Sequence, residues 1–248
     1  MLQKVILQCQ VDKSRGANYN WGSLFHGVLM EVIPPDLAEL LHEIQLKPYS
    51  QYLTPTAQGH LNWHIGIWDN EVADHIIPAV MAMNKIDLKH KNVSLNITNS
   101  QRKSISKNDY FQQFFGKEKA IRRYEIEFVT PSSHKQEGEY VLFPSPQLMI
   151  GSLSRRYNAY IKDISLDDNE AMEQITANIK IVRYSLRSAV YHLESTKITG
   201  YRGKITVIIR GPEQLARLGG ALLSFGQYSG IGIKTALGMG GVRVNPIV

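Results

Sequence analysis

The sequence predicts an α+β fold made of two tandem ferredoxin-like (βαββαβ) domains followed by a C-terminal glycine-rich loop. Three observations carry this reading. The order β-α-β-β-α-β is legible twice, as hydrophobic alternation at period 2 gives way to helical spacing and back. A polar, Lys-rich stretch around residues 100 to 120 separates the two runs, which sets the units at 1–120 and 121–248. Six of the nineteen glycines fall between Gly226 and Gly241, after the last helix signal.

In the first unit "KVILQCQV" alternates as a strand. "WGSLFHGVLMEV" then places Trp21, Leu24, Phe25, Val28, Leu29 and Val32 on one helical arc. Pro34 and Pro35 end that helix, and Pro35 opens a second carrying Leu37, Leu40, Leu41 and Ile44. "SQYLTP" and "GHLNWHIGIW" read as two strands across a short turn. "NEVADHIIPAVMAM" reads as a helix kinked at Pro78, and "NVSLNIT" as the closing strand.

The second unit begins with the strand "RYEIEFVTP" and a hairpin-like stretch ending at "YVLFP". Ser145-Pro146 starts a helix with Met149, Leu153, Tyr157 and Tyr160 on one side. "IKIVRYSLRSAVYHL" and "GKITVIIRG" are long strands. "PEQLARLGGALLSF" is a helix with Pro212 at its first turn and Gly226 as its stop, and "VRVNPIV" closes the unit.

Composition narrows the function classes. A net charge of +6 favours a polyanionic partner, and residues 121–248 carry most of it, net +5 against +1 for residues 1–120. The single cysteine, Cys9, permits neither an intramolecular disulfide nor a zinc site built on cysteine pairs. No run approaches the ~20 apolar residues of a membrane span, and the opening residues lack a signal-peptide core. A cytoplasmic protein without a membrane partner is expected.

The glycine stretch "YSGIGIKTALGMGGVRV" is neither a Walker loop, since Ile233 and not glycine precedes Lys234, nor a dinucleotide fingerprint, since Thr235 stands at the third glycine position. Two Gly-apolar-Gly pairs, Gly230/Gly232 and Gly238/Gly240, flank Lys234 and Thr235. Such spacing suits positive φ and close approach of another backbone. His26 lies beside the apolar arc of its helix, with Gly22 one turn earlier leaving space next to it. His60 and His64 share a strand face without a third ligand, and His42, His75, His90, His134 and His192 show no motif spacing, so no metal is expected.

"GIGIKTALGMG" matches the glycine signature of the RAMP proteins of CRISPR systems, and "FHGVLMEVIPPDLAELLHEIQLKPYSQY" resembles the first helix and following strand of their repeat-RNA endoribonucleases, Cas family six. The resemblance covers nearly the whole chain. It implies metal-independent, cofactor-free cleavage of precursor CRISPR RNA within each repeat. The ribose 2′-hydroxyl attacks the adjacent phosphate, leaving a 2′,3′-cyclic phosphate and a 5′-hydroxyl.

On this reading His26 is the general acid or base. Tyr19, just before the helix, folds over the same side to orient the 2′-oxygen. Gly230, Gly232, Lys234, Thr235, Gly238 and Gly240 contact RNA backbone, joined by Arg155 and Arg156. Many family members carry a lysine soon after the histidine; "GVLMEVIPP" has none, and Lys234, Arg155 and Arg156 are the candidate replacements. Repeat RNA is the expected partner, with a CRISPR effector complex and a homodimer as further ones. The alternative is a non-catalytic RAMP RNA-binding subunit of such a complex, which leaves His26 and Tyr19 without a role.

Overall fold

The computed structural model describes residues 1–12, 16–161, 169–193 and 196–247. In the first unit β1 (Leu2–Gln10) leads to α1 (Gly22–Val32) and α2 (Pro35–Glu43), then β2 (Tyr49–Pro55), β3 (His60–Ile67), α3 (Asn70–Met81), β4 (Lys85–Leu88) and β5 (Val93–Ile105). The antiparallel sheet runs in the order β2-β3-β1-β5-β4. Without the short β4 edge this is the ferredoxin-like arrangement, in which the first and third strands are central.

The second unit comprises β6 (Arg123–Ser132), a small hairpin β7 (Lys135–Gln136) and β8 (Glu139–Tyr140), α5 (Pro146–Tyr160), α6 (Asn169–Asn178), β9 (Ile179–Leu193), β10 (Thr196–Ile209), α7 (Glu213–Ser229) and β11 (Val242–Ile247). Its sheet order, β11-β6-β10-β9, repeats the same arrangement. The closing strand ends at Ile247, and Val248 lies outside the described residues.

Two local departures from the sequence reading have physical causes. The Lys-rich stretch around 100 to 120 is not all connection: β5 continues to Ile105, and α4 (Lys107–Phe115) follows. Ser106 caps α4 by accepting from Asp109 N at 3.0 Å. Tyr110 and Phe111 enter the second unit's core, and Tyr110 Oη donates to Ala221 O of α7. The apolar content of α4 is confined to one edge, so its pattern reads as polar. Pro78 sits inside α3, which runs on to Met81, and Asp69 caps its start through Val72 N.

Each sheet covers its own core. Phe25, Leu29, Trp63 and Ile65 are fully buried in the first, and Phe128, Leu153, Ile205 and Phe225 in the second. Burying one such side chain contributes about 1.5–3 kcal/mol. β2 joins the units because both its faces are covered. Ser50 Oγ donates to Tyr228 O of α7 at 2.6 Å. The Gln51 amide donates to Gly22 O of α1 (2.8 Å) and to Ala236 O (3.0 Å), and Gln51 accepts from Trp63 Nε1 (2.9 Å). One buried amide thus ties α1 to the residues after α7.

Candidate active site at the seam between the units

His26 is carried on α1 and is nearly fully buried at 8% exposure. Its Nε2 lies 3.0 Å from Tyr49 Oη of β2. Burial lowers its pKa to about 4, with the charges of His42 and Lys47 adding to the effect, so the imidazole is neutral at pH 7. Tyr49 is wholly buried, and burial holds its phenol protonated far above the usual range.

Next to His26 lies a cavity of about 240 Å³. It is lined by His42 from α2 and Lys47 from the α2–β2 connection, together with Arg156 from α5 and Lys234, Thr235 and Leu237. The His42 ring centroid is 6.2 Å from that of His26, at 70°. Among the described residues no Asp or Glu lines this cavity. Two imidazoles and three cations are therefore gathered at one concave surface, a set that can move protons and hold an anion.

The glycine loop reaches this seam by folding tightly on the protein itself. Gly230, Gly232, Gly238 and Gly240 all have positive φ and are buried. A Cβ on Gly238, at φ 107°, would meet Tyr191 Oη at 2.5 Å and Gly22 Cα at 2.9 Å. One on Gly240 would stand 2.5 Å from Ile231 O. Backbone donors are used internally: Gly232 N bonds Ser152 Oγ at 3.2 Å and Gly240 N bonds Pro131 O at 2.9 Å.

Thr235 is buried as well, and Ala236 sits in the first unit's core. The expectation that these glycines and Thr235 present open backbone is corrected accordingly. They shape the loop, and Lys234 is its exposed residue, in a left-handed conformation at φ 53°.

Two further expectations change. Tyr19 does not fold over His26; it stacks on Tyr191 at 6.2 Å, with the Arg202 guanidinium 4.7 Å from its ring centre. The short 3-10 turn Tyr19–Trp21, capped by Asn18, sets that direction. Arg156 is not on a solvated face. Its guanidinium is buried and donates to Ser152 O (3.2 Å), Ser152 Oγ (2.5 Å) and Gly232 O (2.5 Å). Arg155, one residue earlier, is exposed, and its positive charge lies close enough to lower the pKa of buried His134.

His42, Lys47 and Tyr49 had no motif to mark them, although all three lie within the stretch that carries the family resemblance. His60 and His64 belong to a different surface: His64 Nε2 bonds Thr54 Oγ1 at 2.8 Å and its ring stacks on Tyr52. A larger cavity of about 490 Å³ between the sheets is lined by Arg187, Arg202, Lys204, Arg243 and Glu127, and has no imidazole in its walls. Among the described residues no group of three or more His, Cys, Asp or Glu could hold a metal ion, and no helix is long and apolar enough to cross a membrane.

Comparison with known proteins decides the family. The family model for CRISPR-associated endoribonuclease Cas6 matches residues 126–242. A Mycobacterium tuberculosis CRISPR-associated endoribonuclease Cas6 is 31% identical over 252 aligned positions, spanning 99% of this chain and 79% of the relative. The chain belongs to the Cas6 family of CRISPR-associated endoribonucleases. A Streptococcus thermophilus Cas6 is 28% identical over 89% of both chains.

Solved Cas6 structures share the fold. A Thermus thermophilus Cas6 in a product complex superposes with a TM-score of 0.80 at 21% identity, covering 99% of this chain and 100% of that one. A RAMP protein described as binding different RNA substrates gives 0.61 at 14% identity, covering 98% and 99%. In this chain His26 of α1 and Lys234 and Thr235 of the glycine loop line one cavity.

Proposed function

We propose that this Cas6 chain cuts precursor CRISPR RNA within its repeats, without metal, by attack of a ribose 2′-hydroxyl on the adjacent phosphate. The products are a 2′,3′-cyclic phosphate and a 5′-hydroxyl. The observation that carries the reading is the cavity in which His26 and His42 face Lys234 across about 240 Å³, with no carboxylate in its walls. In-line attack needs one group to take the 2′ proton and another to give a proton to the leaving 5′-oxygen.

His26, neutral at pH 7 and oriented by Tyr49, is the base. His42, exposed at the cavity mouth, is the acid. Lys234 meets the RNA backbone. Arg156 and the buried glycines hold the loop that carries it. Arg155, exposed one position before Arg156, contacts RNA outside the cavity. The units divide near residue 120, so the cavity lies at their junction.

The test is incubation with cognate repeat RNA in excess EDTA, beside His26→Ala and a substrate with 2′-deoxyribose at the cut. The expected result is one cut with a cyclic-phosphate end, lost both in the variant and with the deoxy substrate. Tight binding without cutting by the wild-type protein would favour a non-catalytic RNA-binding role instead.

A further inference from the structure

The helix that carries His26 continues as Gly27, Val28, Leu29, Met30, Glu31 and Val32, so it brings no cation to the reacting phosphate. Its one charged member, Glu31, pairs with Lys89 at 2.8 Å. Of the three cations around the cavity, Arg156 is committed to Ser152 and Gly232. Lys234 is exposed on the glycine loop. Lys47 is placed differently from both.

Lys47 is half-buried and lines the cavity with His26 and His42, close enough for its charge to act on His26. Its Nζ donates to Ile44 O at 2.9 Å, which uses one of the three N–H groups of an ammonium. No carboxylate lines the cavity it faces. The segment around it is held by its neighbours' bonds: Ile44 N to Leu40 O at 3.2 Å, Trp68 N to Pro48 O at 3.2 Å, and Tyr160 Oη to Leu46 O. Burial and the charge of Lys234 both lower the Lys47 pKa. A partly desolvated ammonium beside a cavity without carboxylates gains from an anion bound there.

We propose that Lys47 is the cation that stabilises the scissile phosphate during cleavage, replacing the lysine that α1 lacks. The assignment rests on the reading given under Proposed function. As the O2′–P bond forms, the 2′ proton passes to His26 and negative charge builds on the non-bridging phosphate oxygens. Lys47 hydrogen-bonds one of those oxygens. The P–O5′ bond then breaks, and O5′ takes a proton from His42. Lys47 exchanges no proton and its contribution is greatest when the phosphorus is five-coordinate. Lys234, exposed on the glycine loop, holds a neighbouring phosphate and acts on affinity.

The experiment compares wild type, Lys47→Met, Lys47→Arg and His26→Ala. It measures single-turnover cleavage of repeat RNA and, separately, binding of the same RNA with 2′-deoxyribose at the cut. Lys47→Met is expected to slow cleavage about 100-fold or more while binding stays within about 3-fold, and Lys47→Arg to recover most of the rate. The groups facing His26 are Tyr49, His42, Lys47, Arg156 and Lys234. Removing the Lys47 charge lets the His26 pKa rise, so the acidic limb of the pH–rate profile moves to higher pH.

Cleavage by Lys47→Met within about 3-fold of wild type, beside an inactive His26→Ala, overturns the assignment and leaves the proposed function standing. Parallel loss of binding and cleavage overturns it too, making Lys47 a binding residue. Full cleavage by His26→Ala removes the underlying reading itself. Should Lys47→Met unfold, Lys47→Gln, with a stem of similar length and a neutral polar tip, is read by the same criteria.

Discussion

Tyr49 Oη stands 3.0 Å from His26 Nε2, and the two rings lie nearly parallel, 18° apart, at the seam between β2 and α1. The contact engages Nε2, so the base role of His26 requires Nε2–H to donate to Tyr49 Oη, which leaves Nδ1 as the basic nitrogen. Tyr49→Phe keeps the ring and removes the hydroxyl. The expected outcome is a cleavage rate about 10-fold lower with unchanged RNA affinity, read by single-turnover kinetics beside a binding titration. Equal rates would assign the ring orientation to packing alone.

Acid should weaken the fold through three buried histidines. Burial lowers the pKa of His26 and His134 to about 4 and that of His64 to about 3. In the unfolded chain each titrates near 6.5, so below that pH the unfolded state takes up protons that the folded state refuses. Their contribution is complete above pH 6.5 and declines as pH falls toward 4, by up to about 1.4 kcal/mol per pH unit for each residue. Thermal melts at pH 7 and pH 5 should show the lower Tm at pH 5, and replacing His64 by Gln should flatten the slope.

Gly238→Ala should destabilise the protein before it affects RNA binding directly. A Cβ there combines φ 107° with clashes against Tyr191 Oη and the Gly22 backbone. A loss of about 3 kcal/mol or more is expected, visible as a drop in Tm of several degrees. The same change at Gly27, whose Cβ would meet nothing within 4 Å, should leave Tm unchanged or slightly raised, since it sits within α1.

Arg156→Met should detach the loop from α5. It removes three donated hydrogen bonds, leaving Gly232 O buried with one partner fewer. The expected signature is a lower Tm together with weaker RNA binding, because Lys234 loses its fixed position. A variant with normal Tm and normal affinity would show that the loop keeps its shape without this anchor.

Lys234→Ala should weaken binding of uncleavable repeat RNA with little change in Tm, because its side chain is exposed. The slope of log affinity against log salt should fall in magnitude by about 0.7–0.9, the value for one lost phosphate contact. An unchanged slope would take Lys234 out of the RNA path.

Much of the architecture was legible in the sequence because β1, β3, β10, α1 and α7 each carry a single clear period. Residues 107–115 and 169–178 form helices whose apolar content is too thin to show above their polar neighbours. The sequence put His26 on a helix beside a glycine, only the family resemblance gave it a role, and its burial was not readable. Nor were its partners, because Tyr49 and Lys47 reach it through the packing of α2 and β2 against α1. The glycines were noticed for their spacing, yet positive φ is required equally by a loop that meets RNA and by one that meets Ser133, Tyr191 and Gly22. Only the three-dimensional contacts separate those two uses.

Gln51 holds Gly22 of α1 and Ala236 of the loop with one side-chain amide, and the cavity walls come from opposite ends of the chain. During synthesis, about 200 residues separate the emergence of His26 from that of Lys234, which faces it. A nascent chain halted anywhere between them exposes imidazoles with no opposing wall. A chain that stops short of the loop therefore carries the imidazoles but not the enclosed cavity, which exists only once both ends of the sequence have met.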